Sequence, residues 1–302
     1  MSNLRDATLC VLGCGNLGRP ILQSLVAGNE DLPFTRFIAC VRSEKSHAAL
    51  TKQFAPHLEK LAIYRSENVK AVQESKVIIL GADPADIESL LTQTGIRDAL
   101  ANKLLISVVA GWTRQKLETT IYGSESSAEN REGRAWIVRT LPNIAALASE
   151  GLTAIETDNS EPVLPDEYLK LTTSIFERVG RTVHIPPRLM NATTAVGGST
   201  PAFFAVICDA LIDASVAVGV PRDMAQTMIY QSMRGTATML QSGIHPGVLK
   251  DQGTSPEGCT IGGLMVLEEG AVRGHLGRAL REAVTLARLM ETVEHVNDTR
   301  TA

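Results

Sequence analysis

The chain has 302 residues, enough for one large or two ordinary domains, because a single hydrophobic core stops growing near about 250 to 300 residues. Lys plus Arg number 29 against 33 Asp plus Glu, a net charge of −4 with no block of like charge, which argues against a nucleic-acid or anionic-membrane partner. The five cysteines (Cys10, Cys14, Cys40, Cys208, Cys259) are scattered and form no C-x-x-C pair. That pattern argues against a disulfide framework and a metal site, and it fits a reducing, cytoplasmic compartment.

Met1 to Asp6 lacks the apolar stretch of a signal peptide. Short β-type runs then alternate with helix-type stretches: residues 9–12, 37–41, 77–80, 104–109 and 136–139, with a further run at 182–185 before Pro186-Pro187. This alternation predicts a parallel sheet flanked by helices. The polar patch 123–132 reads as a surface loop.

Beyond the two prolines the pattern is helical. The apolar stretch 201–220 carries Asp209 and Asp213, each costly at a bilayer centre, and so reads as a buried helix and not a membrane span. A second helix is predicted from Pro221 to about Gln241, a turn at His245-Pro246-Gly247, a loop over 250–260, and then a final helix. In that last helix Leu276, Leu280, Ala283, Ala287 and Met290 form one apolar stripe. The C-terminal third holds more apolar surface than one small helical domain can cover, which predicts an oligomer interface.

Directly after the first predicted strand stands Gly13-Cys14-Gly15-Asn16-Leu17-Gly18, followed by helix. This is G-x-G-x-x-G in the strand-turn-helix setting that binds a dinucleotide pyrophosphate on free backbone N–H groups. The second strand ends in Cys40-Val41-Arg42-Ser43 with no carboxylate for a ribose 2′-hydroxyl. A guanidinium there suits a 2′-phosphate, so NADPH is favoured over NADH. The alternative is that Arg42 is a solvated loop cation beside Glu44.

Hydride transfer follows from a dinucleotide site, but the substrate does not. No lysine lies between Lys170 and Lys250, so the catalytic lysine that β-hydroxyacid dehydrogenases place on the first helix after the sheet is absent. His184 and His245 read as structural.

Four segments carry a resemblance. Gly197-Gly198-Ser199-Thr200-Pro201-Ala202-Phe203 is similar to the S-G-S-G-P-A-[YF] segment of pyrroline-5-carboxylate reductases, and residues 249–260 resemble their L-K-D-x-V-T-S-P-G-G-x-T loop. Leu141-Pro142-Asn143 and Ser107 to Gly111 resemble their M-P-N and S-x-x-A-G. The resemblance implies NADPH-dependent reduction of the cyclic imine 1-pyrroline-5-carboxylate to proline. It also implies an α/β fold: an N-terminal Rossmann-type parallel-sheet domain (1–186) plus a C-terminal all-helical, substrate-binding and dimerisation domain (187–302), in a homodimer or a higher assembly of dimers.

By the same resemblance the cofactor residues are Gly13, Gly15, Asn16, Leu17, Gly18, Arg42, Ser43, Asn68, Ala82, Asp83, Pro84, Val108, Val109 and Ala110. The substrate carboxylate falls to Ser255, Gly258, Cys259 and Thr260, with Thr260 also near the imine nitrogen as the catalytic residue. Two alternatives stand beside these assignments: Asn68 as a plain helix cap, and Ser255 and Thr260 as caps of a helix starting near Ile261.

Several positions depart from the family pattern. Its V-K-P is Ala82-Asp83-Pro84, its S-P-G-G is Ser255-Pro256-Glu257-Gly258, and Gln252, Thr200 and Pro186-Pro187-Arg188 also differ. A carboxylate at Glu257 would repel a substrate anion, so its side chain is expected to face solvent or a cation. These departures leave open a paralogue acting on a substituted pyrroline or a six-membered imine, or a non-catalytic NADPH-binding regulator.

Overall fold

A computed structural model of the chain describes residues 4–28, 31–158 and 161–292. They form two compact units: Met1–Gly198 with Val284–Ala302, and Ser199–Ala283.

The first unit is built on an eight-stranded sheet: β1 (Ala7–Leu12), β2 (Phe34–Val41), β3 (Leu61–Arg65), β4 (Val77–Leu80), β5 (Leu104–Ser107), β6 (Trp136–Pro142), β7 (Gly151–Glu156) and β8 (Gly180–Ile185). Their spatial order is β3-β2-β1-β4-β5-β6-β7-β8. The chain therefore reverses direction across the sheet between β1 and β4, the place where open α/β sheets leave a crevice at their strand ends. The expected parallel sheet is corrected in one respect: β6 and β7 pair antiparallel, while the other neighbours are parallel.

Strands β3 and β7 also go beyond the sequence reading. In β3 the three central residues are only half-buried, as at a sheet edge, so the strand lacks a continuous apolar run. The central strands are covered on both faces. Leu9 and Val11 enter the cluster that holds Ile21, Leu25, Phe37 and Phe176, while Cys10 and Leu12 enter the one that holds Ile38, Ile78, Ile87 and Leu105. Two-sided burial is why these strands read as unbroken apolar runs.

Inside this unit the end of the last helix is clamped on β6. Arg139, buried on β6, donates to Glu291 Oε1 at 2.8 Å and lies 3.7 Å from the buried Glu156 carboxylate. Asn191 Nδ2 donates to the other oxygen of Glu291 at 2.7 Å. Burial raises the Glu156 carboxyl above the ordinary value of 4.5, against the opposing pull of Arg139 and Arg114.

The second unit is helical: Thr200–Ala217, Arg222–Gln241, Pro246–Gln252, Cys259–Glu269, and the first part of Val272–Thr292. The first two form an antiparallel pair tied by Arg222 to Asp213 at 2.6 Å and by Cys208 against Met233. The reading of residues 201–220 as a buried helix is corrected. Only Cys208 and Ile212 are buried along Thr200–Ala217, while Phe204, Val206, Ile207 and Leu211 are exposed. The stretch Pro187–Ala217 is long and apolar enough to cross a membrane by composition alone. Asp209 and Asp213 in it would each cost about 2.5–3.5 kcal/mol at a bilayer centre.

The same exposure runs through Met224, Met228 and Tyr230 on the second helix and Met265 and Val266 on the fourth. A face this apolar needs another surface to cover it. The expected loop over 250–260 is shortened by helix Pro246–Gln252, which His245 caps by accepting the Gly247 N–H on Nδ1 at 3.1 Å. The expected final helix is two helices, parted at Gly270-Ala271, where Ala271 has φ +51°.

Candidate functional site

Four strand ends converge where the sheet reverses. Behind β1 the glycine turn divides its work. Gly13 sits at φ +79°, and a Cβ there would lie 2.4 Å from the N and Cα of Ala82 in the turn after β4. At Gly18 a Cβ would stand 3.0 Å from the Val11 side chain, so this glycine lets the helix Gly18–Ala27 pack on β1. A Cβ at Gly15, by contrast, meets nothing within 4 Å. Two of the glycines are thus required by the protein's own packing. The second faces the open space that a pyrophosphate would need.

Beside this turn lies a cavity of about 230 Å³ lined by Gly13, Cys40, Arg42, Asn68, Ala82 and Asp86, with Ser66, Ser89, Leu90 and Gln93 around them. Of the residues predicted from sequence, the fold brings Gly13, Arg42, Asn68 and Ala82 together here. Asn68 is not the cap of its helix, since Glu67 holds that position. Its Oδ1 accepts from the Cys40 thiol at 3.0 Å and its Nδ2 donates to Gln93 at 3.3 Å. Burial pushes the Cys40 thiol up to about 11 and the Cys14 thiol up to about 12, so both stay protonated and inert.

Two predicted residues spend their side chains elsewhere. Ser43 caps the helix Glu44–Gln53 by accepting the Ser46 N–H at 3.1 Å. Asp83, the anion where the family has lysine, turns into its own loop and accepts the Ala85 N–H at 3.0 Å. Pro84 accepts from Trp112 Nε1 at 3.1 Å, which ties the loop after β4 to the loop after β5. Val108 and Val109 are buried, Ala110 is half-buried, and Asn16 and Leu17 lie at the mouth of the glycine turn.

Cys40, Asp86, Gln93 and Trp112 were not singled out from sequence as site residues; only their place at the end of β2, after β4 and after β5 marks them. Asn143, known from sequence only as a motif position, proves to be an organiser. Its Oδ1 accepts from Ala145 and Leu152, and its Nδ2 donates to the Gly197 carbonyl at 2.8 Å. Gly197 lies in a π-helical turn, Thr194–Ser199, so two family motifs meet through one side chain.

In the helical unit, Ser255, Gly258, Cys259 and Thr260 surround the start of helix Cys259–Glu269. The helix begins two residues earlier than expected, and Gly258 is its cap position with no side-chain cap. The capping alternative for Ser255 and Thr260 is therefore not realised, and the first N–H groups stay open for an anion. A Cβ at Gly258 would lie 2.5 Å from Ser255 Oγ, which explains glycine there. Glu257 stands in the left-handed region at φ +58°, where the family has glycine, and its side chain is exposed.

The sequence profile of the family described as pyrroline-5-carboxylate reductase dimerisation matches residues 187–290. The profile described as NADP oxidoreductase coenzyme F420-dependent matches 8–111. A pyrroline-5-carboxylate reductase of Lophium arboricola is 43% identical over 98% of this chain and 97% of its own length. The chain belongs to the pyrroline-5-carboxylate reductase family. The Neurospora crassa reductase is 38% identical over 98% of this chain and 97% of its own. Among solved structures, the Plasmodium falciparum pyrroline carboxylate reductase with NADP bound superposes at a TM-score of 0.78. It is 23% identical and covers 95% of this chain and 99% of its own, a likeness of fold. Membership in this family accounts for the apolar helical unit, whose profile is that of a dimerisation region.

Proposed function

We propose that the protein reduces 1-pyrroline-5-carboxylate to L-proline with NADPH, in the cytoplasm and as a homodimer covering the exposed face of residues 187–302, with residues 1–186 as the cofactor domain. The observation that carries this reading is the match to reductase relatives along nearly the whole chain. When bound, NADPH supplies the hydride that the ring carbon C5 of the imine accepts.

The residues present fit such a cofactor: open space at Gly15, a turn of backbone N–H groups, and a cavity holding Arg42 and Asn68. In this assignment Gly13 to Gly18 hold the pyrophosphate, Arg42 the 2′-phosphate, Asn68 the adenosine ribose, and the 108–110 loop the nicotinamide end. The N–H groups of Cys259 and Thr260, with the Ser255 hydroxyl, hold the substrate carboxylate without a cation. A protonated imine is already electrophilic, so the protein's task is positioning and exclusion of water, with no activated nucleophile. Thr260 orients the imine nitrogen.

The test follows loss of reduced cofactor absorbance with pyrroline-5-carboxylate, a six-membered piperideine carboxylate and ring-methylated pyrrolines. NADPH-dependent turnover fastest on the unsubstituted ring is the expected result; faster turnover on another imine reassigns the substrate. Thr260→Ala is expected to lower kcat/KM by about tenfold or more, the worth of a hydrogen bond to a charged group, with NADPH affinity retained. Unchanged turnover removes Thr260 from the chemistry.

A further inference from the structure

We propose that Asp86 sets how strongly the site discriminates NADPH from NADH, by holding Arg42 in competition with the 2′-phosphate. The proposal rests on the reading of Arg42 as the 2′-phosphate residue. Arg42 Nη1 donates to both carboxylate oxygens of Asp86, at 2.9 and 2.8 Å, and the two side chains line the same cavity as Gly13 and Asn68. The guanidinium expected to meet the phosphate therefore already has an anion.

The two partners differ in freedom. Asp86 ends the tight turn Pro84–Asp86, which is fixed on several sides. Its N–H donates to Asp83 O, its carbonyl accepts from Ser89 Oγ, Asp83 caps Ala85, and Trp112 holds Pro84. Arg42 sits on a long stem with its side chain 82% exposed, against 41% for Asp86. An ion pair this solvated is weak and readily exchanged. Arg42 can swing to a phosphate, while the Asp86 carboxylate stays at the rim of the cavity.

The consequence differs between the two cofactors. A 2′-phosphate monoester brings a charge near −1.5 to −2 close to a fixed carboxylate and must take Arg42 from it. A bare ribose brings hydroxyl groups, which a carboxylate accepts, and leaves the pair intact. Arg65, in register with Val41 beside Arg42, already has an anion of its own in Glu44. The loop after β4 thus places at Asp86 an acid that narrows the preference Arg42 confers.

The test compares wild type, Asp86→Asn, Arg42→Ala and the double variant. The readouts are kcat/KM with each cofactor and calorimetric affinity for 2′,5′-ADP against ADP, which carry the adenosine half alone. Asp86→Asn is expected to raise the NADPH to NADH ratio, and the 2′,5′-ADP to ADP ratio, by about three- to tenfold. Arg42→Ala is expected to lower both ratios, and on that background Asp86→Asn is expected to raise them by clearly less than it does with Arg42 present.

If Arg42→Ala lowers the ratios while Asp86→Asn leaves them unmoved, the role of Asp86 falls and that of Arg42 stands. Equal losses with both cofactors in Arg42→Ala remove the 2′-phosphate assignment, and this proposal with it. A full Asp86→Asn effect in the absence of Arg42 overturns the competition for the guanidinium.

Discussion

Gly13→Ala is expected to destabilise the protein by about 3 kcal/mol or more and to abolish cofactor binding. Two costs add. A non-glycine residue at a left-handed φ costs about 1–2 kcal/mol, and forcing an atom into a packed contact about 1–3. The contact here is severe, because the new Cβ would lie 2.4 Å from two backbone atoms of Ala82, and backbone cannot rotate aside as a side chain can. The ends of β1 and β4 would have to part, which opens the crevice itself. Gly15→Ala is the control: its Cβ enters open space, so the denaturant midpoint is expected to stay while cofactor affinity falls at least about tenfold, a loss of roughly 1.4 kcal/mol. Equal midpoints for wild type and Gly13→Ala would show that the two turns can separate freely, and the division of labour among the glycines would fail.

Arg139→Ala is expected to cost about 3–5 kcal/mol, because it leaves the buried Glu156 and the half-buried Glu291 without their shared cation. Its pH dependence identifies the cause. Burial already raises the folded-state carboxyl of Glu156 above 4.5, and loss of Arg139 raises it further. A carboxyl raised on folding is most favourable to the native state below its unfolded value, and that contribution is lost as pH climbs through the raised folded value. The deficit of Arg139→Ala relative to wild type is therefore expected to grow as pH rises from the wild-type folded-state value of Glu156, itself above 4.5, toward the higher value in the variant, read by denaturant titration at each pH. A deficit constant across that range would point to lost packing alone. Since the Glu291 end of the last helix packs with Met290 against Gly111, the variant is also expected to loosen the loop that follows β5.

Much of this was legible in the chain. The G-x-G-x-x-G turn, the central strands, the helical second half and the apolar excess that needs a covering surface each depend on local periodicity or on residues adjacent in sequence. The family motifs are contiguous as well, so their resemblance needed no fold. Edge strand β3 escaped because three of its five residues are only half-buried, and β7 because a strand of six that starts at Gly151, is broken by Thr153 and ends at Glu156 shows no clear apolar run. The helix 201–220 was misjudged for a physical reason: apolar composition states that a surface avoids water, not whether the same chain or another one covers it.

By itself, then, the sequence determined the order of elements, the glycine cradle and the family, because each is written in neighbouring residues. Tertiary structure decided the partnerships. Asp86 reaches Arg42 across 44 positions and Glu291 reaches Arg139 across 152, and Asp83 and Ser43 turn away from a cavity that their positions border. A charge's meaning depends on which opposite charge the crossing of β1 and β4 brings beside it, and no spacing along the chain encodes that.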